Sequence, residues 1–189
     1  MMKAIWQAAT LLLLGMPLAR AAEKEPKEYV WNAPKVEQSI FTPELGMLDA
    51  EREEYATNLA NHAANLVITA DAAPASLAEA RRMLALALHL SPRNKRALVV
   101  GFQISRGMMP ELAEGNYSPQ AFARLLYSRS LVLEKQGGAQ NTKLARMFVQ
   151  IAVTMDPRNE DAVYANEVNR LDHGEFDWSP VTDPKPKKP

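Results

Sequence analysis

Residues 76–94 read SLAEARRMLALALHLSPRN, and this stretch decides the fold because a similar one occurs a second time. The second copy, NTKLARMFVQIAVTMDPRN at residues 141–159, follows 65 residues later without a gap. The identical pairs are Ala80 and Ala145, Arg81 and Arg146, Ala87 and Ala152, Pro92 and Pro157, Arg93 and Arg158, Asn94 and Asn159, and Ala97 and Ala162. Helical segments that recur at a fixed period are typical of stacked repeats. The sequence therefore predicts an all-α scaffold built from a duplicated unit.

Apolar residues at spacings of three and four predict six helices. They span about residues 44–69, 76–90, 94–105, 118–136, 141–155 and 160–171. Ser76, Ser118 and Asn141 are the predicted N-caps of the second, fourth and fifth helices. The second helix is apolar around most of its circumference, so we expect it to lie between neighbours. The residues of the fifth helix predicted to point inward are Ala145, Phe148, Val149, Ala152 and Met155.

The ends of the two copies carry a family resemblance. Residues 87–94, ALHLSPRN, and residues 152–159, AVTMDPRN, resemble the second helix of a tetratricopeptide repeat and the junction that follows it. In such a junction the small residues let helices approach closely, the proline ends one helix and the asparagine begins the next. Stacked hairpins of this kind curve into a superhelix with a concave face. The resemblance covers residues 44–174.

The chain departs from that family in its period. The copies are 65 residues apart, whereas the family repeats about every 34 residues. A loop at residues 108–117 stands where one further helix is expected. The resemblance therefore implies a right-handed array of helical hairpins in two duplicated three-helix units, residues 44–107 and 118–174. The alternative is a generic helical bundle that contains a duplicated hairpin.

The first residues have the layout of a secretory signal peptide. Residues 1–3 give a basic start, residues 4–16 are largely apolar, and Ala19-Arg20-Ala21 has the small-x-small pattern of a cleavage site. We therefore expect residues 1–21 to be removed and the protein to be exported to the periplasm or the exterior of a bacterium. The alternative is a retained membrane anchor, although a span needs about 20 apolar residues and Pro17 interrupts this one.

The segments that flank the predicted helical domain are less regular. Residues 22–43 mix charges with prolines and predict an extended, mobile arm. Its possible docking points are Tyr29, Val30, Trp31, Ile40 and Phe41. Residues 175–189 place Phe176 and Trp178 ahead of a tail rich in proline and lysine. We expect the aromatic pair to cover the apolar edge that the last helix leaves, and the alternative is that a partner uses it as an anchor.

The composition excludes several kinds of site. The chain has no cysteine, which rules out a disulfide framework, a thiolate metal site and a cysteine nucleophile. Its 22 basic and 22 acidic residues balance, which argues against nucleic-acid binding. No metal-binding motif and no nucleophile with an adjacent base occurs, and His89 is predicted to be a satisfied buried residue. We therefore expect no metal, no cofactor and no catalytic residue.

A polar stripe on the first helix is the candidate binding site. Asn58, Asn61, His62 and Asn65 recur at spacings of three and four, so they share one face. The simplest interpretation is a face exposed to solvent. The family resemblance implies instead that first helices line a groove, where asparagine amides hold the backbone of an extended peptide by donating and accepting hydrogen bonds. The fourth helix would add Arg124 and Tyr127 to this groove.

These observations favour a non-enzymatic, exported scaffold that binds a protein or peptide in the bacterial cell envelope. The first alternative is a structural subunit of an envelope assembly of the secretion or pilus type, in which copies associate with one another. A remote alternative is a domain that acts on cell-wall glycan. It depends only on Glu111 and Glu114, because paired carboxylates hydrolyse glycosides when a rigid cleft holds them.

Overall fold

The computed structural model describes residues 28–113 and 118–184. Over these ranges the chain forms α-helices and no strand, which confirms the all-α prediction. The seven helices of these ranges are α1 (Asp49–Thr69), α2 (Pro74–Leu90), α3 (Lys95–Ser105), α4 (Pro119–Gln136), α5 (Ala139–Met155), α6 (Glu160–His173) and α7 (Ser179–Thr182). The predicted signal peptide, residues 1–21, lies outside the described residues.

The first three helices pack against one another. Helices α1 and α2 form an adjacent pair, and α3 lies against both. Helix α1 contains a set of fully buried alanines, whose small side chains let neighbouring helices approach closely: Ala56, Ala60, Ala63 and Ala64. Helix α2 buries residues around most of its circumference, as its apolar sequence predicts.

The next three helices form a second arrangement. Helices α4 and α5 are an adjacent pair, and α6 packs on α5. All five residues of α5 predicted to point inward are buried, which confirms the helical phase of the second copy. The two arrangements meet at Tyr55 of α1, whose ring stacks on Phe148 of α5 at 5.3 Å and meets the edge of Phe122 of α4 at 5.7 Å. An ion pair of 2.8 Å between Arg129 and Glu51 also joins α4 to α1.

Three helices begin at residues that cap them with a side chain. Asn94 Oδ1 accepts a hydrogen bond from the Ala97 amide at 2.9 Å, and Asn159 Oδ1 accepts one from the Ala162 amide at 3.2 Å. Ser118 does the same for α4, as predicted. Such caps satisfy amides that a helix leaves without an internal partner.

Two predicted caps, Ser76 and Asn141, are wrong. Helix α2 begins two residues earlier at Pro74, because the fixed φ of proline suits the first helical position. Ser76 lies inside the first turn and donates to the carbonyl of Ala73. Asn141 likewise lies inside α5 and donates to the carbonyl of Gly137. Its Oδ1 atom instead accepts a hydrogen bond from an amide outside the helix.

Residues 28–48, the described part of the segment before α1, lie across the helices, and we call them the strap. Helix α1 begins five residues later than predicted, because residues 44–48 form turns. In these turns Leu45 is buried and the Gly46 amide donates to Asn141 Oδ1 at 2.9 Å. Further upstream, Tyr29 Oη donates to the carbonyl of Ile104 at 2.9 Å. The prediction that Val30 is a docking point is wrong, since 93% of its surface is exposed.

In residues 28–113 and 118–184, no helix combines the length and the apolar character that a membrane span requires.

Candidate functional site

The polar stripe of α1 contacts the connector, defined as residues 108–113, which links α3 to the segment before α4. Asn65 Oδ1 accepts a hydrogen bond from the Ala113 amide at 2.9 Å. Asn61 Oδ1 accepts one from Arg96 Nε at 2.8 Å, and Arg96 Nη2 donates to the carbonyl of Glu111 at 2.8 Å. Two polar groups of the connector backbone, two residues apart, are therefore held by side chains of α1 and α3.

Helix geometry explains why these side chains converge. Asn61 and Asn65 are one turn apart, on the side of α1 opposite its buried alanines. Arg96 lies in the first turn of α3, which packs against α1. Pro110 of the connector is buried and Met109 packs against the core, so the connector is also held by apolar contacts. At Asn61 and Asn65, the interpretation of the stripe as a face exposed to solvent is wrong.

The other predicted groove residues lie in different surroundings. Asn58 is half-buried on the same face of α1. His62 is half-buried beside it, and burial lowers the pKa of His62 to about 4, so its imidazole is neutral at pH 7. Arg124 is exposed. Tyr127 packs against the core, where burial, followed by the charges of Asp161 on α6 and of Glu134, raises its pKa.

The predicted groove residues therefore do not form one site in the structure. It brings Asn61 and Asn65 together with the connector, and it places Tyr127 on α4 against the core, where the charge of Asp161 on α6 acts on it. Arg96 is a site residue that the sequence reasoning missed. Its position just after the Asn94 cap predicts only that it lies in the first turn of α3, and the contact with α1 depends on how the two helices pack.

The C-terminal aromatic pair lies across α5. Trp178 is buried, and its Nε1 atom donates to Gln150 Oε1 at 2.7 Å. Phe176 meets Trp178 edge to face at 5.2 Å, and the guanidinium of Arg146 lies 5.5 Å from the Phe176 ring. The guanidinium of Arg82 on α2 lies 5.9 Å from the Trp178 ring. The pair thus joins α5 to α2, and the Trp178 side chain is not presented to solvent as an anchor.

One face of α2 holds both terminal segments of the described chain. Arg81 Nε donates to the carbonyl of Asn32 at 2.6 Å, and Arg81 Nη2 contacts both carboxylate oxygens of Asp183 at 2.8 Å. That ion pair lowers the pKa of Asp183. Two turns further along α2, the His89 side chain makes the second connection between the same segments.

His89 is a buried neutral histidine with both ring nitrogens engaged. Its Nδ1 atom accepts a hydrogen bond from the Ile40 amide at 3.2 Å, and its Nε2 atom lies 2.8 Å from the carbonyl of Val181. An acceptor at Nδ1 and a donor at Nε2 define one tautomer of the uncharged ring. Burial lowers the pKa of His89, the bond to Val181 opposes that shift, and the charge of Lys143 adds to it. The prediction of a satisfied buried histidine is confirmed.

The acidic residues near the connector give little support to the hypothesis that the protein acts on cell-wall glycan. Glu111 is exposed and only its carbonyl is engaged by Arg96. Glu114 lies outside the described residues. In the part of the chain that the structure describes, no group of three or more histidine, aspartate or glutamate side chains is placed to hold a metal ion.

Comparison with protein-family models, with curated proteins and with solved structures finds no match for this chain. The structure itself shows an all-helical protein in which neighbouring helices pack in pairs, α1 with α2, α4 with α5 and α5 with α6. The resemblance to tetratricopeptide repeats therefore rests on the two Pro-Arg-Asn junctions of the sequence.

Proposed function

We propose that this protein is a non-enzymatic helical scaffold that binds a protein or peptide segment in the bacterial cell envelope, with that segment lying on the outer face of α1. One observation carries the proposal. Asn61, Asn65 and Arg96 already hold a non-helical segment of the chain, the connector, through the carbonyl of Glu111 and the amide of Ala113. A segment of a partner offers the same two backbone groups.

The energetics of these contacts suit exchange of the bound segment. The neutral hydrogen bond at Asn65 contributes about 0.5–1.5 kcal/mol net, and the bond from the charged Arg96 contributes about 1.5–3 kcal/mol, because each replaces bonds to water. The apolar contacts of Met109 and Pro110 also hold the connector, so a competing segment has to replace only the two hydrogen bonds at Asn65 and Arg96 to occupy the face of α1. Asn58 extends the same face toward the start of α1, so a longer partner segment has a further polar side chain to contact.

Two further parts of the proposal are that the protein is a scaffold and that it is exported. They are supported by the sequence and by the asparagine caps of α3 and α6. Asn94 and Asn159, equivalent residues of the two copies, cap α3 and α6 in the same way, which supports a duplicated hairpin unit of the tetratricopeptide type. Placement in the cell envelope rests on the signal-peptide pattern of residues 1–21.

Binding of a labelled peptide tests the site directly. The peptide has the sequence of residues 107–114, GMMPELAE, and the protein is a variant whose residues 109–113 are replaced by a glycine-serine linker of equal length. The linker lacks the side chains of Met109 and Pro110 that pack against the protein, so its backbone should be held less firmly on the face of α1. We therefore expect the peptide to bind the linker variant more tightly than it binds the wild type. Adding Asn65→Ala should weaken binding about tenfold, since one backbone amide loses its acceptor. Fluorescence anisotropy measures both effects.

The matched control is Asn169→Ala in the same linker background. Asn169 is a half-buried asparagine on α6, remote in sequence from the connector, and its removal should leave peptide affinity unchanged. Circular dichroism checks that each variant retains its helix content. Equal affinities for the linker variant with and without Asn65 would contradict the proposed site.

A structural subunit is the second candidate function, and a separate observation favours it. Helices α3 and α6 each expose large apolar side chains on the face turned away from the core, among them Phe102 and Leu171. Exposed apolar faces of this kind are typical of protein–protein contacts. They are available for assembly whether or not the face of α1 binds a peptide.

A further inference from the structure

Helix α3 has an apolar stripe on its outer side. Ala97, Val100 and Ile104 form its buried face. On the opposite side, the exposed fractions of Leu98, Val99 and Phe102 are 50%, 40% and 56%. We call these three side chains the α3 stripe. Exposure of the α3 stripe to water is unfavourable, because burial of apolar surface lowers the free energy.

Helix α6 has a second stripe of the same kind. Of its residues, all of which the structure describes, only Ala162 is buried. Tyr164, Val168 and Leu171 lie at spacings of four and three, so they share the face opposite Ala162. Their exposed fractions are 74%, 36% and 74%. We call these three side chains the α6 stripe. Helix α6 is therefore apolar toward solvent.

The charges around the two stripes are opposite in sign. The sequence of α3 contains Lys95 and Arg96 and no acidic residue, and Arg106 caps its end with its guanidinium 5.3 Å from the Phe102 ring. Lys95 and Arg106 are exposed at the two ends of the α3 stripe. Helix α6 carries one arginine, Arg170, and four carboxylates, those of Glu160, Asp161, Glu167 and Asp172. Two α3 stripes would place like charges together, and so would two α6 stripes, whereas α3 against α6 pairs unlike charges.

We propose that the α3 stripe of one copy of this protein binds the α6 stripe of a second copy. The contact is heterologous, because it joins different surfaces of two identical chains. Each pair formed in this way leaves one α3 stripe and one α6 stripe free. Association therefore continues with concentration into longer chains or closed rings. None of the six stripe side chains belongs to the proposed peptide site, whose one residue on α3 is Arg96, so the contact uses a different surface.

Two single substitutions separate the surfaces. Phe102→Asp places a carboxylate on the α3 stripe, and Leu171→Lys places a cation on the α6 stripe. Both side chains are exposed, so both variants should fold, which circular dichroism checks. Sedimentation velocity at increasing concentration should show growing assemblies of the wild type that shrink as ionic strength rises. Each variant alone should be monomeric.

Mixing the two variants gives the decisive result. The Phe102→Asp protein retains an α6 stripe and the Leu171→Lys protein retains an α3 stripe, so an equimolar mixture should form dimers and nothing larger. Val30→Asp, at an exposed position on the strap, is the control and should associate like the wild type. A wild type that stays monomeric would overturn the proposal and assign the stripes to a different partner. A variant that dimerises alone would overturn it in favour of symmetric pairing. A mixture that stays monomeric while the wild type associates would also overturn it.

Discussion

Replacement of Phe148 by alanine is expected to lower the free energy of unfolding by about 3–5 kcal/mol. The ring is fully buried, and it stacks on Tyr55, which belongs to the other helical arrangement. The substitution removes this contact and leaves a cavity where α5 meets α1. Since a domain of this size is typically stable by about 5–15 kcal/mol, the loss is a large fraction of the total. Urea denaturation followed by circular dichroism measures it.

Phe102→Ala is the matched control, because it makes the same chemical change on an exposed face of α3. Its effect on the monomer should stay within about 0.5 kcal/mol, as for most surface substitutions. If Phe148→Ala prevents folding, Phe148→Leu keeps most of the volume and should give a smaller, measurable loss. Similar losses for Phe148→Ala and Phe102→Ala would show that the aromatic contact between α1 and α5 does not stabilise the fold.

Lowering the pH from 7 to 5 is expected to reduce the free energy of unfolding by about 2 kcal/mol through His62 alone. Burial lowers the pKa of His62 to about 4 from an ordinary value of 6.5. Between these values the unfolded chain binds a proton that the folded chain does not, so stability is full above pH 6.5 and falls as the pH decreases. Each pH unit in this window costs about 1.4 kcal/mol.

His89 acts in the same direction. Burial lowers the pKa of His89 as well, and a proton on Nδ1 would break its hydrogen bond from the Ile40 amide. Urea denaturation at pH 7, 6 and 5 measures the combined slope. His62→Gln should flatten the slope, because it removes the buried group whose pKa is lowered to about 4. A slope that does not change on removal of His62 would contradict its assignment as a buried neutral group.

The sequence predicts those features of the fold that depend on local signals. The Pro-Arg-Asn junctions end α2 and α5 and place the caps of α3 and α6, because both effects act within one turn of the chain. The phase of α5 follows from its apolar spacing. Helix α7 was missed, because four residues are too few to show a period. The start of α1 was misplaced, because Gly46 is bonded to Asn141 of a distant helix rather than within its own.

The candidate site was predictable only in part. The spacing of Asn61 and Asn65 shows that they share a face, and it cannot show that the connector covers that face. Arg96 reaches the site because α3 packs on α1, and no local sequence pattern predicts this packing. The two copies also differ in the contacts that their capping asparagines make. Asn94 Nδ2 donates to Thr57 Oγ1 of α1 at 2.8 Å, whereas the equivalent position on α4 is Phe122, which offers no acceptor.

Hydrogen exchange at the Ala113 amide, followed by NMR, tests most directly whether the face of α1 holds a peptide backbone. The amide should be protected in the wild type and lose protection in Asn65→Ala, because Asn65 Oδ1 is its acceptor. Added peptide of residues 107–114 should also reduce protection at about millimolar concentration, where it competes with the tethered connector. An amide that exchanges at the same rate in the wild type, in Asn65→Ala and with added peptide would contradict the proposed function.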